Sequence, residues 1–315
     1  MADPKTILAF GELLWDLLPG GAMLGGAPFN FSYRVHELGF RGLMISRLGR
    51  DERGDEAMAR IKSLGMDGSL VQWDDARPTG TVNIIFDALH NPDYTIVPDV
   101  AYDHIETNER ILEAAAKADC LCFGTLAQRC EVSRGALGRL MEACSSAVKV
   151  LDLNLRKDCF SEETVLSSLE SANIVKLNED EALWLARVFD LPAMPLVDFC
   201  RRALDKWKLT HCLVTLGERG AFCASRTQCL YVPGYKTRLA DSCGSGDAFT
   251  AGFVSGLLDG KSLGDCCEKG NLLGAIVASR VGATSPIDPE LVENFLASGP
   301  VRTLDAGLTE YIASP

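Results

Sequence analysis

Six short apolar runs, each ended by a turn or polar residue and followed by a helix-like stretch, narrow what this 315-residue chain can fold into. They are Thr6–Phe10, Gly42–Ile45, Cys120–Phe123, Val148–Leu153, Asn173–Leu177 and Cys212–Leu216. From residue 118 onward they recur roughly 25–40 residues apart, the period of β-α-β units in a parallel sheet. The intervening segments carry the helical period. Phe31, Val35 and Leu38 fall at i, i+4 and i+7 before Gly39, and Ala57, Ile61 and Leu64 do the same before Gly65. A glycine just past the last periodic residue is a C-terminal stop. The expected fold is therefore α/β, a doubly wound, mostly parallel sheet flanked by helices.

Two stretches break that rhythm. Residues 13–25 contain Pro19-Gly-Gly21 and no helical period; residues 79–98 read as an antiparallel hairpin turning around His90-Asn-Pro-Asp93. Together they predict a small β lid inserted in a single domain spanning residues 1–315, placed to cover a site.

Composition removes other classes. A formal charge of −12 and a pI near 4.9 argue against a nucleic-acid surface, which needs a supply of Lys and Arg. The N-terminus has no basic segment leading an apolar stretch, and no apolar run approaches the roughly 20 residues of a membrane span. Twelve cysteines lie at irregular intervals within apolar runs, as reduced thiols do, and the four histidines have no ligand spacing. The expectation is a cytoplasmic protein without zinc, nucleic-acid or membrane partners.

The segment Asp241-Ser-Cys-Gly244-Ser245-Gly246-Asp247 carries the chemistry. Its glycines let successive amides turn into one concavity, and Phe249 and Phe253 begin a helix whose positive end favours an anion. Asp247 falls in the first turn, a carboxylate beside an anion site. Taken alone, the segment is a capped helix after a glycine loop as readily as a phosphoryl-transfer site. Gly256–Ser262 imitates a P-loop but is one residue short and closes a helix rather than opening one. The acidic run Asp51–Glu56 reads as the charged first turn of a helix rather than a metal site.

A second feature changes the balance. Gly25-Gly26-Ala-Pro-Phe-Asn30, with Gly39, Gly49 and the segment ending at Asp247, resembles both signature patterns of the ribokinase-like, phosphofructokinase-B type carbohydrate kinases. The resemblance runs along the whole chain in order: Gly11-Glu12…Asp16, Gly49-Arg-Asp51…Gly54, Asp152-Leu-Asn154-Leu-Arg156, Asn178-Glu-Asp-Glu181, Thr215-Leu-Gly217-Glu-Arg-Gly220 and Asp247. It implies a ribokinase-like fold, with Asp247 as general base and Gly244, Ser245 and Gly246 as anion hole. Asp16, Gly26 and Asn30 would hold sugar hydroxyls, and Thr215, Gly217 and Gly220 would line the nucleotide. Asn178 and Glu181 would organise Mg²⁺ through water, and Asn271 would lie near adenine. The resemblance also implies ATP as co-substrate, a K⁺ ion near Asp241 and the carbonyls of Gly282–Ser285, and a homodimer formed through the lid.

The opening Gly11-Glu12-Leu-Leu-Trp-Asp16 and Pro78-Thr-Gly-Thr resemble the fructokinase branch, implying transfer of the ATP γ-phosphate to the primary hydroxyl of fructose. Arg156 stands in a run similar to that of 2-keto-3-deoxygluconate kinases, which gives an alternative acidic sugar as substrate. A catalytically inactive sugar-binding regulator on the same fold is a third reading. Cys243 stands where the family more often has Thr or Ala. Its place before a helix N-terminus predicts either inert packing or a lowered thiol pKa.

Overall fold

A computed structural model describes residues 3–18, 20–86, 92–192 and 194–313. In chain order the N-terminal half holds β1 (Thr6–Phe10), β2 (Leu14–Leu18), β3 (Gly21–Gly25), α1 (Ala27–Glu37), β4 (Arg41–Gly49), α2 (Glu52–Ser63), β5 (Val71–Asp74), β6 (Gly80–Phe86), β7 (Pro92–Ile96), α3 (Glu109–Ala116), β8 (Cys120–Phe123), α4 (Glu131–Ala143) and β9 (Val148–Asp152). The chain continues with α5 (Glu162–Ser171), β10 (Ile174–Asn178), α6 (Glu179–Val188), α7 (Leu196–Lys206), β11 (His211–Thr215), β12 (Ala221–Ser225), β13 (Cys229–Val232), α8 (Ser245–Leu258), α9 (Leu263–Ala278) and α10 (Pro289–Ala297).

The main sheet has nine strands in the order β13-β12-β11-β10-β9-β8-β1-β4-β5. Strands β5 to β11 of that order run parallel, and β12 and β13 close one edge antiparallel. A strand buried on both faces must be apolar at every position, and alternate residues then feed two different layers. Leu8, Phe10, Leu121, Phe123, Leu151, Val175 and Val214 face the layer holding α3 to α7. Ile7, Ala9, Cys122, Val150, Ile174 and Leu213 face the other, which contains α1, α2, α8 and α9. This is the doubly wound architecture expected from the spacing of the apolar runs.

Helix ends behave as the sequence predicts. Gly39 and Gly65 take φ values of 87° and 73°, a region open to glycine at no steric cost. Asp51 caps α2 by accepting from the Gly54 amide at 2.8 Å, which explains the acidic run without a metal. The P-loop look-alike spans the end of α8, where Leu258 is the last helical residue.

Residues 13–25, read from sequence only as non-helical, form the hairpin β2–β3. It joins β6 and β7 in a separate four-stranded sheet, β3-β2-β6-β7. The predicted turn at His90–Asp93 falls partly on residues 87–91, outside the described residues; the strands on either side, β6 and β7, pair antiparallel as expected. None of the helices is long and apolar enough to cross a membrane, among the described residues.

Candidate active site

The chemistry-bearing residues gather where the C-terminal ends of the parallel strands meet the N-terminus of α8. Gly244 is the residue before that helix and adopts the left-handed conformation, φ 76° and ψ −3°. A Cβ there would sit 2.3 Å from Ala283 Cβ, so the turn closes tightly against the 282–285 loop. Asp241 ties the two loops together by accepting from the Cys243 amide at 2.9 Å and the Gly282 amide at 3.1 Å. Ser245 donates from Oγ to the Gly274 carbonyl at 3.0 Å, which fixes the start of α8 on α9. Gly244, Ser245 and Gly246 thus form a rigid loop at a helix N-terminus, an arrangement suited to an anion.

Asp247 lies in the first turn of α8, and Asn30 from α1 donates to its Oδ2 from Nδ2 at 2.8 Å. Burial pushes its pKa up to about 6 and Asp152 adds to that, while Asn30, Lys176 and Arg156 pull the other way. The carboxylate is therefore ionised at neutral pH yet a better proton acceptor than an ordinary Asp. Asn30 Oδ1 is buried with no hydrogen-bond partner, an acceptor left open beside the carboxylate.

The residues expected to hold the sugar lie in the same region. Asp16 projects from β2, its Oδ2 2.8 Å from where a Cβ on Gly25 would sit, and burial pushes its pKa up to about 6. Gly26 has φ 109° and lies against the Glu12 carbonyl, 2.4 Å from a would-be Cβ, so only glycine fits between β1 and α1. Glu12, not singled out from sequence as a site residue, is 4% exposed and accepts from the Ala27 amide at 3.2 Å. Burial pushes it up to about 7. Arg156, exposed beyond β9, lowers the pKa of Glu12, Asp16 and Asp247, so its charge faces all three. Among the described residues it makes no ion pair.

The expected nucleotide residues form a second group. Asn178 and Thr215 are register partners at the ends of β10 and β11. Gly217 and Gly220 bracket a short 3₁₀ turn with φ of 60° and 95°, and Gly220 is packed so closely on β13 that a Cβ would lie 2.1 Å from the Val232 carbonyl oxygen. Asn271 is more enclosed than a base-contacting residue needs to be. It is 8% exposed, and its Nδ2 donates to the Val232 and Pro233 carbonyls at 2.9 and 3.3 Å. It anchors the end of β13, the strand against which the Gly220 turn packs.

Glu181 and Asn178 form a capping box: Asn178 Oδ1 accepts from the Glu181 amide, and Glu181 Oε2 accepts from the Asn178 amide, both at 2.8 Å. Glu181 Oε1 also accepts from the Leu155 amide at 2.9 Å. No cluster of three or more metal-ligating side chains occurs among the described residues. One carboxylate and one amide suit Mg²⁺ carried in by nucleotide phosphates with its waters, not a resident ion. The K⁺ site expected near Asp241 fits less well. The carbonyls of Ala283 and Ser285 accept from Nη2 of the buried Arg34 at 3.0 and 3.1 Å, and Arg34 also pairs with Glu37. A guanidinium already occupies those two carbonyls, and a second cation there would meet its charge.

Cys243 is an exposed residue just before α8. Crowding of its sulfur by protein atoms, then the carboxylates of Asp247, Asp16 and Asp241, push its pKa up to about 12, opposite to a lowered value at a helix N-terminus. The remaining cysteines are also free thiols.

A doubly wound sheet whose strand ends bring a glycine loop at a helix N-terminus beside a buried carboxylate fits a ribokinase-like phosphotransferase. Comparison with known proteins agrees: residues 22–290 match the model of the pfkB family carbohydrate kinases, and the chain belongs to that family. It is a kinase acting on a sugar hydroxyl. Fructokinase-1 of Oryza sativa subsp. japonica is 28% identical over 317 residues, covering 91% of this chain and 96% of that protein. The structure of a fructokinase with bound ATP from Xylella fastidiosa superposes with a TM-score of 0.81 at 21% identity, covering 94% of this chain and 99% of that one. A Vibrio cholerae fructokinase double mutant, in a form with fructose, ADP and potassium ion bound, gives 0.80 at 21% identity, with coverage of 94% and 100%.

Proposed function

We propose that the protein is an ATP-dependent fructokinase with Asp247 as general base. The observation that carries this reading is the Asn30–Asp247 contact of 2.8 Å, which aims a carboxylate of raised proton affinity at the pocket beside the Gly244–Gly246 loop. The fructokinase names of its relatives support fructose as acceptor.

In this mechanism Asp16, Asn30 and the backbone at Gly26 hold the sugar with its primary hydroxyl next to Asp247. That oxygen attacks the γ-phosphorus of ATP and its proton passes to Asp247. The bond between the γ-phosphorus and its bridging oxygen breaks, and ADP departs. Amides of Gly244, Ser245 and Gly246 stabilise charge on the transferring group. Glu181 and Asn178 would hold the waters of a Mg²⁺ ion bound with the nucleotide, which would supply positive charge against the phosphates. The β2-β3-β6-β7 sheet acts as a lid that excludes water once sugar is bound. Its outer strands β3 and β7 are the edges through which two copies would pair.

Replacing Asp247 by Asn keeps the shape and removes the base. A fall in kcat of about 10²–10⁴-fold is expected, with little change in sugar affinity. Near-normal turnover would refute the assignment.

Arg156 favours a second reading. An unpaired guanidinium facing the pocket suits a substrate carboxylate, as in 2-keto-3-deoxygluconate. One coupled ADP assay on both sugars separates the two. Ligand-induced thermal stabilisation with no ADP formed on any sugar would instead favour an inactive regulator.

A further inference from the structure

Behind the anion loop lies a buried ion pair that the mechanism above leaves unused. Lys176 is the one charged residue of β10, in a strand otherwise apolar until its last position. It is 7% exposed and donates from Nζ to Asp152 Oδ1 at 3.1 Å; Asp152, at the end of β9, is 6% exposed. The other Asp152 oxygen accepts from Thr250 Oγ1 at 2.8 Å, one turn beyond Asp247 on α8. Lys176 Nζ also lies 2.8 Å from where a Cβ on Gly246 would sit, so the ammonium rests against the middle of the anion loop.

Stability alone is a poor reason to keep such a pair. Taking two charges out of water costs about as much as their attraction returns, and a well-packed apolar pair of similar volume is commonly as stable or more so. The position is what distinguishes it. The sheet parity that sends Val150 and Ile174 toward α8 sends Asp152 and Lys176 there too, two residues later, at the strand ends.

We propose that Lys176, held by Asp152, is a positioning residue for phosphoryl transfer: it braces Gly246 from below and keeps the anion loop and the Asp247 carboxylate in working alignment. The inference rests on the reading of Asp247 as base. Charge follows the same geometry. Asp152 raises the proton affinity of Asp247 and Lys176 lowers it, so the pair holds the base between two opposing influences. The other groups facing Asp247 are Asn30 from α1, Arg156 after β9, Glu12 after β1, Cys122 on β8 and Cys243 before α8. None of these touches the underside of Gly246 in the way Lys176 does. Lys176 itself stays charged: burial works against it, but Asp152, Glu181 and Asp247 together hold its pKa above the ordinary lysine value.

The test is the pH profile of kcat/KM for the full chain with MgATP and fructose, in Lys176→Met, Asp152→Asn, the double variant and Asp247→Asn. Lys176→Met should move the acid limb upward by about one unit, costing about fivefold at pH 6, where the base is already half protonated, and less at pH 8, with the sugar KM changed by less than about threefold. Asp152→Asn should move the limb downward. The double variant should return the limb close to wild type while kcat stays low, because the brace is gone. A Lys176→Met loss equal at every pH, or a limb moving the same way in both single variants, overturns the proposal. Should Lys176→Met fail to fold, Thr250→Val carries the test. It keeps both charges but frees Asp152 from α8, and should lower kcat several-fold at constant KM; an unchanged kcat overturns the idea. An inactive Asp247→Asn beside a Lys176→Met profile superimposable on wild type sinks this inference alone. An active Asp247→Asn sinks the base assignment first.

Discussion

Replacing Gly244 by alanine separates two demands on the anion loop. The first is conformational: at φ 76° an L side chain costs about 1–2 kcal/mol relative to glycine. The second is steric. The new Cβ would lie 2.3 Å from Ala283 Cβ and 2.8 Å from Ala283 Cα, where carbon atoms rest at about 3.5–4 Å. The loop must therefore retreat by about 1 Å, and it has nowhere soft to go. Ala283 is held by Arg34, and the loop's other side by Asp241. A displacement of about 1 Å in a positioning element costs on the order of 10²-fold in rate, or about 2.7 kcal/mol of transition-state stabilisation. Gly260→Ala supplies the control. It has φ 71° and nothing within 4 Å of a new Cβ, so it carries the conformational cost without the clash. Both variants should melt a few degrees below wild type, at about 2–4 °C per kcal/mol. Only Gly244→Ala should lose kcat in the coupled assay. Equal activity in the two variants would refute the assignment of this loop to catalysis.

Two further outcomes follow from buried charges. Glu12 binds its proton more tightly folded, near 7, than at its ordinary 4.5, so the folded state holds more protons than the unfolded state between those values. Its contribution to stability is therefore full below pH 4.5 and lost as pH rises toward 7. Glu12→Gln should remove this decline and melt higher than wild type at pH 8; an unchanged pH dependence of Tm would contradict the buried-carboxylate account. Arg34→Met strands the Ala283 and Ser285 carbonyls and Glu37, and should cost about 3–5 kcal/mol in chemical denaturation. A loss below about 1 kcal/mol would mean that the guanidinium is not what holds this loop.

The readable part of the chain was the part where local pattern and global fold agree. β1, β8, β10 and β11 are apolar at nearly every position because both their faces are buried, and α1 and α2 show one apolar stripe before a glycine. Strands β12 and β13 are short apolar runs as well, Ala221–Ala224 and Cys229–Val232, but no helix separates them, so they fall outside the β-α-β period. Their place at the sheet edge comes from antiparallel pairing, β12 on β11 and β13 on β12. Of the site, Asp247 and its loop were legible because an anion nest is a local backbone property. Arg34 and Lys176 were not, since their partners lie 249 and 24 residues away respectively. One clue was available. A lysine inside Ile174-Val-Lys-Leu, a run otherwise suited to burial on both faces, requires a carboxylate opposite it.

The Asn30–Asp247 hydrogen bond joins residues 217 positions apart. Strands β8 to β13 take their places in the order of synthesis, each beside the one before it. Asp247, the proposed base, reaches Asn30 only after α8 has been made and laid against α1. A growing chain that ends before residue 240 can build most of its sheet and the residues proposed to hold the sugar, yet it lacks the proposed base and the anion loop. During refolding, helical and sheet signals should accordingly recover before turnover does, because loop closure over this span comes late. Catalytic competence thus doubles as a check that both ends of the chain have met.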